Sequence, residues 1–218
     1  MLQFEIAKRN GGFVLWGDYG TLKPIHSFLM DISEQSPVLH KEGLLPALAY
    51  DIRKAYEGFR KKETLEVWND DVAIYGVEQV WPTFINQIAL ARSGLAFVNS
   101  SKDQQSTMYL LEAFLEDAVK NAFPKESNEI LDVYNQLTSS QEQFITDVLG
   151  GRVAYFLYRD AKSRRSELIE VLKSLNPMWA SIVNAIGNER AGTKLSPKDF
   201  EGYSWESLDN ISDSKYKL

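Results

Sequence analysis

The sequence predicts an α+β protein: a small antiparallel sheet made of two hairpins, packed on a predominantly helical bundle. Three observations predict it. Asn10-Gly11-Gly12 lies between two strand-like runs, and Asn-Gly tolerates the positive φ that tight hairpin turns require. A second pair of strand-like runs flanks Asn69-Asp70-Asp71. From Pro82 onward apolar residues recur at helical spacing almost without interruption.

In the first hairpin, Leu2, Phe4 and Ile6 alternate with polar or small residues, and Gly12 to Trp16 reads as strand. The stretch Gly17 to Thr21 turns the chain into a first helix, expected from about Leu22 to Glu34 with Thr21 as its N-cap. Ser36-Pro37 ends that helix, because the residue before proline disfavours the α region. A second helix is expected over Leu44 to Lys61. Leu44, Leu45, Leu48, Ile52, Ala55, Tyr56 and Phe59 form its apolar stripe, and Asp51, Arg53, Lys54 and Glu57 its solvated side.

The second hairpin is expected over Thr64 to Val80, with arms Leu65–Trp68 and Val72–Val80. Gly76 in the second arm signals a bulge or a close approach by another backbone. Trp81-Pro82 then opens a helix with little polar face, so it should be central, with proline in the first turn where its missing N–H is harmless. Met108, Leu111, Phe114, Leu115, Ala118 and Phe123 mark the next helix, stopped before Pro124. Helices over Ser127–Leu137 and Ser140–Leu149 follow, and Gly150-Gly151 is expected to break the run. A long helix from Arg152 to Leu175 and another from Asn176-Pro177 to Ile186 complete the bundle. Residues 1–186 are therefore expected to form one domain, with the sheet in 1–81 and the helical part in 82–186. Residues 187–218 lose periodicity and read as an extended tail, with Phe200, Tyr203 and Trp205 docking on the body.

Composition limits function. The chain has 218 residues, a 44% hydrophobic fraction, a net charge of −6 and no cysteine. The absence of cysteine removes disulfides, zinc–thiolate sites and a cysteine nucleophile. The acidic balance argues against general nucleic-acid binding, which needs many Lys and Arg contacts to phosphate. No run approaches the ~20 apolar residues that span a bilayer. MLQFEIAKRN lacks the basic and apolar regions of a signal peptide. The expected setting is cytoplasmic, without a membrane.

The segment Tyr75-Gly76-Val77-Glu78-Gln79-Val80-Trp81-Pro82-Thr83-Phe84-Ile85-Asn86-Gln87-Ile88 resembles a family of uncharacterised bacterial proteins of similar length. They carry an aromatic-Gly pair, a short strand, then Trp-Pro and an apolar helix with Gln. Phe13 to Phe28 looks similar as well, and the likeness covers about residues 1–120. The resemblance implies a bacterial cytoplasmic origin and transfers no catalytic residues.

Several constellations invite chemistry. Gly17-x-x-Gly20 before a helix can cradle a phosphate, but Asp18 would set a carboxylate in the anion position, so a structural corner is the better reading. His26 and His40 have no Gly-x-Ser-x-Gly elbow and no His-Glu-x-x-His, and neither has an Arg four to seven residues upstream, as small helical ribonucleases do. Glu112 and Glu116, with Asp117 beside them, share a helix face that reads as solvated rather than metal-binding. The one basic cluster, Arg152, Arg159, Lys162, Arg164 and Arg165, falls on the long expected helix with Tyr155 and Tyr158, and can receive an anionic ligand or a partner.

The expected function is a non-catalytic bacterial interaction factor, of immunity, regulatory or defence type, with a protein partner and neither cofactor nor metal. The alternative is an enzyme or nucleic-acid-acting protein using the basic helix around 152–165.

Overall fold

The computed structural model describes residues 1–67, 70–138 and 142–175. Two hairpins form one sheet. β1 (Leu2–Ile6) pairs with β2 (Gly12–Asp18), and β3 (Lys61–Val67) with β4 (Asp70–Val80). β2 and β4 join the hairpins, giving the order β1-β2-β4-β3 with every pairing antiparallel. Asn10 turns the first hairpin at φ 56°. Alternation divides the sheet into two faces: Phe13, Leu15 and Val77 point into the main core, while Val14, Trp16 and Ile74 form a small cluster on the other side.

Gly76 is neither a bulge nor a contact with another backbone. The ladder runs regularly through its pairing with Trp16, and a Cβ there would meet the Trp16 ring at 2.8 Å. Glycine is required because the cross-strand indole lies on it. Asp70 and Asp71, expected in a turn, are the first residues of β4. The turn residues 68 and 69 lie outside the described residues.

Helix α1 (Tyr19–Gln35) begins three residues earlier than expected, because Asp18, not Thr21, is its N-cap. The Asp18 carboxylate accepts the Thr21 N–H at 2.9 Å and the Thr21 hydroxyl at 2.9 Å. Helix α2 (Leu44–Tyr56) ends five residues before Lys61, the first residue of β3. Gly58 adopts φ +88°, with its N–H donating to the Ala55 carbonyl and that of Phe59 to the Lys54 carbonyl. This pair of bonds is a Schellman closure. It carries Phe59 off the helix and into solvent, at 67% exposure, so Phe59 is not part of the buried stripe.

Helix α3 (Trp81–Leu95) is buried along nearly its whole length and is the centre of the bundle. It is surrounded by α1, α2, α4 (Lys102–Ala122), α5 (Ser127–Leu137), α6 (Glu142–Tyr158) and α7 (Ala161–Lys173). Trp81 is fully buried where strand gives way to helix, its ring 4.5 Å from that of Phe13 and 5.2 Å from that of Phe123. Glu142, at the start of α6, is also fully buried. Its carboxylate accepts the N–H groups of His40 at 2.7 Å and Leu44 at 2.6 Å, tying α6 to the entry of α2.

Gly150-Gly151 does not break the helical run. Both glycines are buried inside α6, which packs on α3 and α7, so tertiary contact outweighs their weak helix propensity. The break falls at Arg159-Asp160 instead. The Asp160 carboxylate accepts the N–H groups of Lys162 at 2.9 Å and Ser163 at 3.0 Å and starts a new helix. The expected helix 177–186 and the tail with Phe200, Tyr203 and Trp205 lie outside the described residues. No helix among the described residues is long and apolar enough to cross a membrane.

Candidate functional site

The basic cluster is divided between two helices. Arg152 and Tyr155 belong to α6, Arg159 to the link, and Lys162, Arg164 and Arg165 to α7. Arg164 is 1% exposed and closes the end of α6: its guanidinium donates to the carbonyls of Phe156, Leu157 and Arg9. Arg152 is buried too, donating through Nε to the Ser174 hydroxyl at 2.9 Å. Arg159 pairs with Glu167 at 2.8 Å, and the Tyr155 hydroxyl donates to the same carboxylate. Lys162 and Arg165 are exposed. Most of the cluster's charge is thus held inside or between helices.

The carboxylates of α4 are also engaged. Glu112 accepts from Arg92 through both Nε and Nη2, and from the Tyr134 hydroxyl at 2.9 Å. It therefore joins α3, α4 and α5 rather than facing water freely. Burial and the neighbouring Glu112 charge push the Tyr134 hydroxyl well above its ordinary pKa. Among the described residues no group of three or more metal-ligating side chains comes together. At Gly17–Thr21 the Asp18 carboxylate occupies the position an anion would take. Its pKa is lowered: burial pushes it up, and hydrogen bonds from the Met1 ammonium and Thr21 outweigh that. His40 is exposed in the loop before α2 and contributes its backbone N–H to Glu142.

A different surface gathers aromatic rings and cations. Tyr19, Lys23 and His26 recur on α1 at spacings of four and three, so they share one face. The last turns of α2 supply Tyr50, Arg53, Lys54 and Tyr56, and the Schellman closure adds Phe59. The Tyr19 and Tyr56 rings meet edge to face at 5.3 Å, and His26 meets Tyr56 at 6.0 Å. His26 Nδ1 and the Tyr56 hydroxyl lie 3.4 Å apart. Lys23 sits over the Tyr19 ring at 5.3 Å, Arg53 over Tyr50 at 5.3 Å, and Lys54 over Phe59 at 4.5 Å. Tyr19 and Tyr50 are about half exposed, at 48% and 49%.

Electrostatics follow from this crowding. Burial, and then the nearby Arg53 cation, hold His26 below the ordinary histidine pKa, so the ring is neutral at pH 7. Burial and Glu57 raise the Tyr56 hydroxyl. Lys23 is held more firmly protonated by its interaction with Tyr19. Glu57 bridges to Lys54 at 3.4 Å and to Arg53 at 3.9 Å, and Asp51 to Arg60 at 2.7 Å, so four cations, Lys23, Arg53, Lys54 and Arg60, stand beside these two carboxylates. Such a face can stack on planar groups and receive carboxylates. The sequence reading did not single out Tyr19, Lys23, Tyr50 or Phe59. One signal was available, the Tyr19, Lys23, His26 spacing; the other, the positive φ at Gly58, becomes visible only in the fold.

A family model described as "Domain of unknown function (DUF6904)" matches residues 2–212. No curated protein and no solved structure matches the chain.

Proposed function

The chain belongs to the DUF6904 family, and we propose that it is a non-catalytic interaction factor that docks an acidic segment of a partner protein on the α1–α2 face. The observation that carries this reading is the exposure of Tyr19, Tyr50 and Phe59 with Lys23, Arg53 and Lys54 set over their rings. Aromatic residues and arginine are the side chains most enriched at binding hot spots. A cationic island on a chain of net charge −6 favours a partner whose charge is locally negative. The proposed setting is the bacterial cytoplasm, in an immunity, regulatory or defence role, supported by the lack of cysteine and by the resemblance of the Trp81-Pro82 segment.

The alternative, nucleic-acid binding or catalysis through residues 152–165, has less support, because Arg152 and Arg164 are buried and Arg159 is paired. Capture of partners from the source cells, compared between wild type and a Tyr50→Ser, Phe59→Ser variant of unchanged circular dichroism, tests the proposal. A stoichiometric acidic partner should be recovered by wild type and lost by the variant. Retention by the variant refutes the α1–α2 assignment. Salt-sensitive RNA or DNA binding abolished by Lys162→Glu and Arg165→Glu would favour the alternative.

A further inference from the structure

The two edges of the sheet are treated differently. β3 carries Lys61, Lys62, Glu63 and Glu66 along an exposed, highly charged edge, a common guard against unwanted strand pairing. β1, at the other edge, has no such guard. The Ala7 N–H donates to the Gly12 carbonyl, and antiparallel bonding alternates from there. The backbone groups of Gln3 and Glu5 therefore face β2, and those of Leu2, Phe4 and Ile6 face away from it. Those outward groups take no hydrogen bond among the described residues.

Beside this edge lies an open groove of about 470 Å³, lined by Leu2, Gln3, Phe4, Leu110, Ala113, Phe114 and Asp117. Its floor is the edge-to-face contact of Phe4 with Phe114, ring centroids 5.9 Å apart. Leu110 is 42% exposed on its α4 wall, and the neighbouring Tyr109 is 63% exposed. Asp117 is an exposed carboxylate that meets no cation among the described residues, and Glu5, exposed on the other face of β1, accepts the Trp16 indole N–H at 3.4 Å.

We propose that β1 and α4 form a strand-addition site, where an extended segment of a partner protein, apolar on one side and basic, pairs with the free edge of β1. The backbone edge supplies the hydrogen bonds. The groove receives alternate side chains of the added strand, over Ala113 and Leu110, because successive residues point to opposite faces. Asp117 and Glu5 select Lys or Arg in the segment. They also disfavour a second copy of this chain, which would bring its own Asp117 and a net charge of −6 to the same place. The site uses none of the residues of the α1–α2 face and stands or falls separately from it.

A randomised display library of peptides of about nine residues, selected on the full chain with counter-selection on an Ala113→Trp variant, tests the proposal. Ala113 is exposed, so Trp fills the groove without entering the core. The enriched peptides should alternate apolar with polar residues and carry Lys or Arg. They should bind wild type at least about tenfold more tightly than Ala113→Trp or Asp117→Lys, and slow amide exchange at Leu2, Phe4 and Ile6. Their binding should survive Tyr50→Ser with Phe59→Ser. The proposal is overturned if no peptide discriminates wild type from both groove variants, or if the enriched peptides are acidic or leave those amides unchanged. Protection of the same amides in a peptide-free dimer seen by sedimentation also overturns it, and gives the edge to a second copy.

Discussion

Trp81 shows how one residue can hold both halves of the molecule. Its ring packs between Phe13 of the sheet and Phe123 after α4, with no exposed surface. Trp81→Ala is expected to destabilise by ~3–5 kcal/mol in chemical denaturation, as large-to-small aromatic changes in cores do. A wild-type-like transition would contradict its place in the core. Its position was legible, because a tryptophan followed by proline after a strand marks the entry to a helix. The surroundings of His26 were not legible, since Tyr56 and Arg53 reach it only through the packing of α2 on α1. Because its pKa is lowered in the folded state, the unfolded chain takes up the proton first as pH falls below the ordinary value of 6.5. Stability should therefore decline from there down to the folded pKa and then level off. His26→Gln should flatten that limb in melting temperatures measured over about pH 5–8.

At the scale of elements, α7 depends on a buried cation. Arg164 lies under three carbonyls, two of them at the end of α6, where cations complement the helix dipole. Burial, followed by the nearby Arg9 charge, lowers its pKa, and the Asp160 carboxylate partly offsets this, while the hydrogen bonds of the guanidinium go to carbonyls. Arg164→Met is expected to cost about 3 kcal/mol, since charge-assisted bonds contribute ~1.5–3 kcal/mol each and only part is lost net. Lys should not restore it, because a point charge cannot reach three acceptors as a planar fork does. Denaturant midpoints for the two variants, with amide exchange at the α6–α7 junction, provide the check; a restored midpoint for Lys would sink the argument. The sequence reading set this arginine in a cluster open to an anionic ligand or a partner, on one long helix from Arg152, because Gly150-Gly151 suggested the wrong break. The right one was marked by Asp160-Ala161-Lys162-Ser163, an aspartate capping the N–H groups two and three residues on. Apolar periodicity gave the start of α2, and a glycine conformation that periodicity does not encode set its end.

At the scale of the whole molecule, the α+β class was legible because local hairpin signals and helical periodicity agree. The order β1-β2-β4-β3 was not, since the β2–β4 pairing joins segments about sixty residues apart and no local pattern specifies it. The aromatic face of α1–α2 was hidden for the same reason. The family match runs through residue 212, across the body and into the segment with Phe200, Tyr203 and Trp205. The sequence expectation that these aromatics dock on the body predicts that a chain truncated after residue 186 melts at a lower temperature than the full chain, by calorimetry on both; equal melting temperatures would refute that docking.

The Arg164 bond to the Arg9 carbonyl spans 155 positions, and the Asn10 side chain likewise donates to the Ala161 carbonyl across 151. On the ribosome, the loop of the first hairpin emerges long before the residues that close over it. At about 5–20 residues per second, roughly 8–30 s separate the two ends of that bond. The nascent hairpin can gain β4 on its β2 edge within that interval, but its loop stays unfastened until α7 arrives and ties it to the bundle.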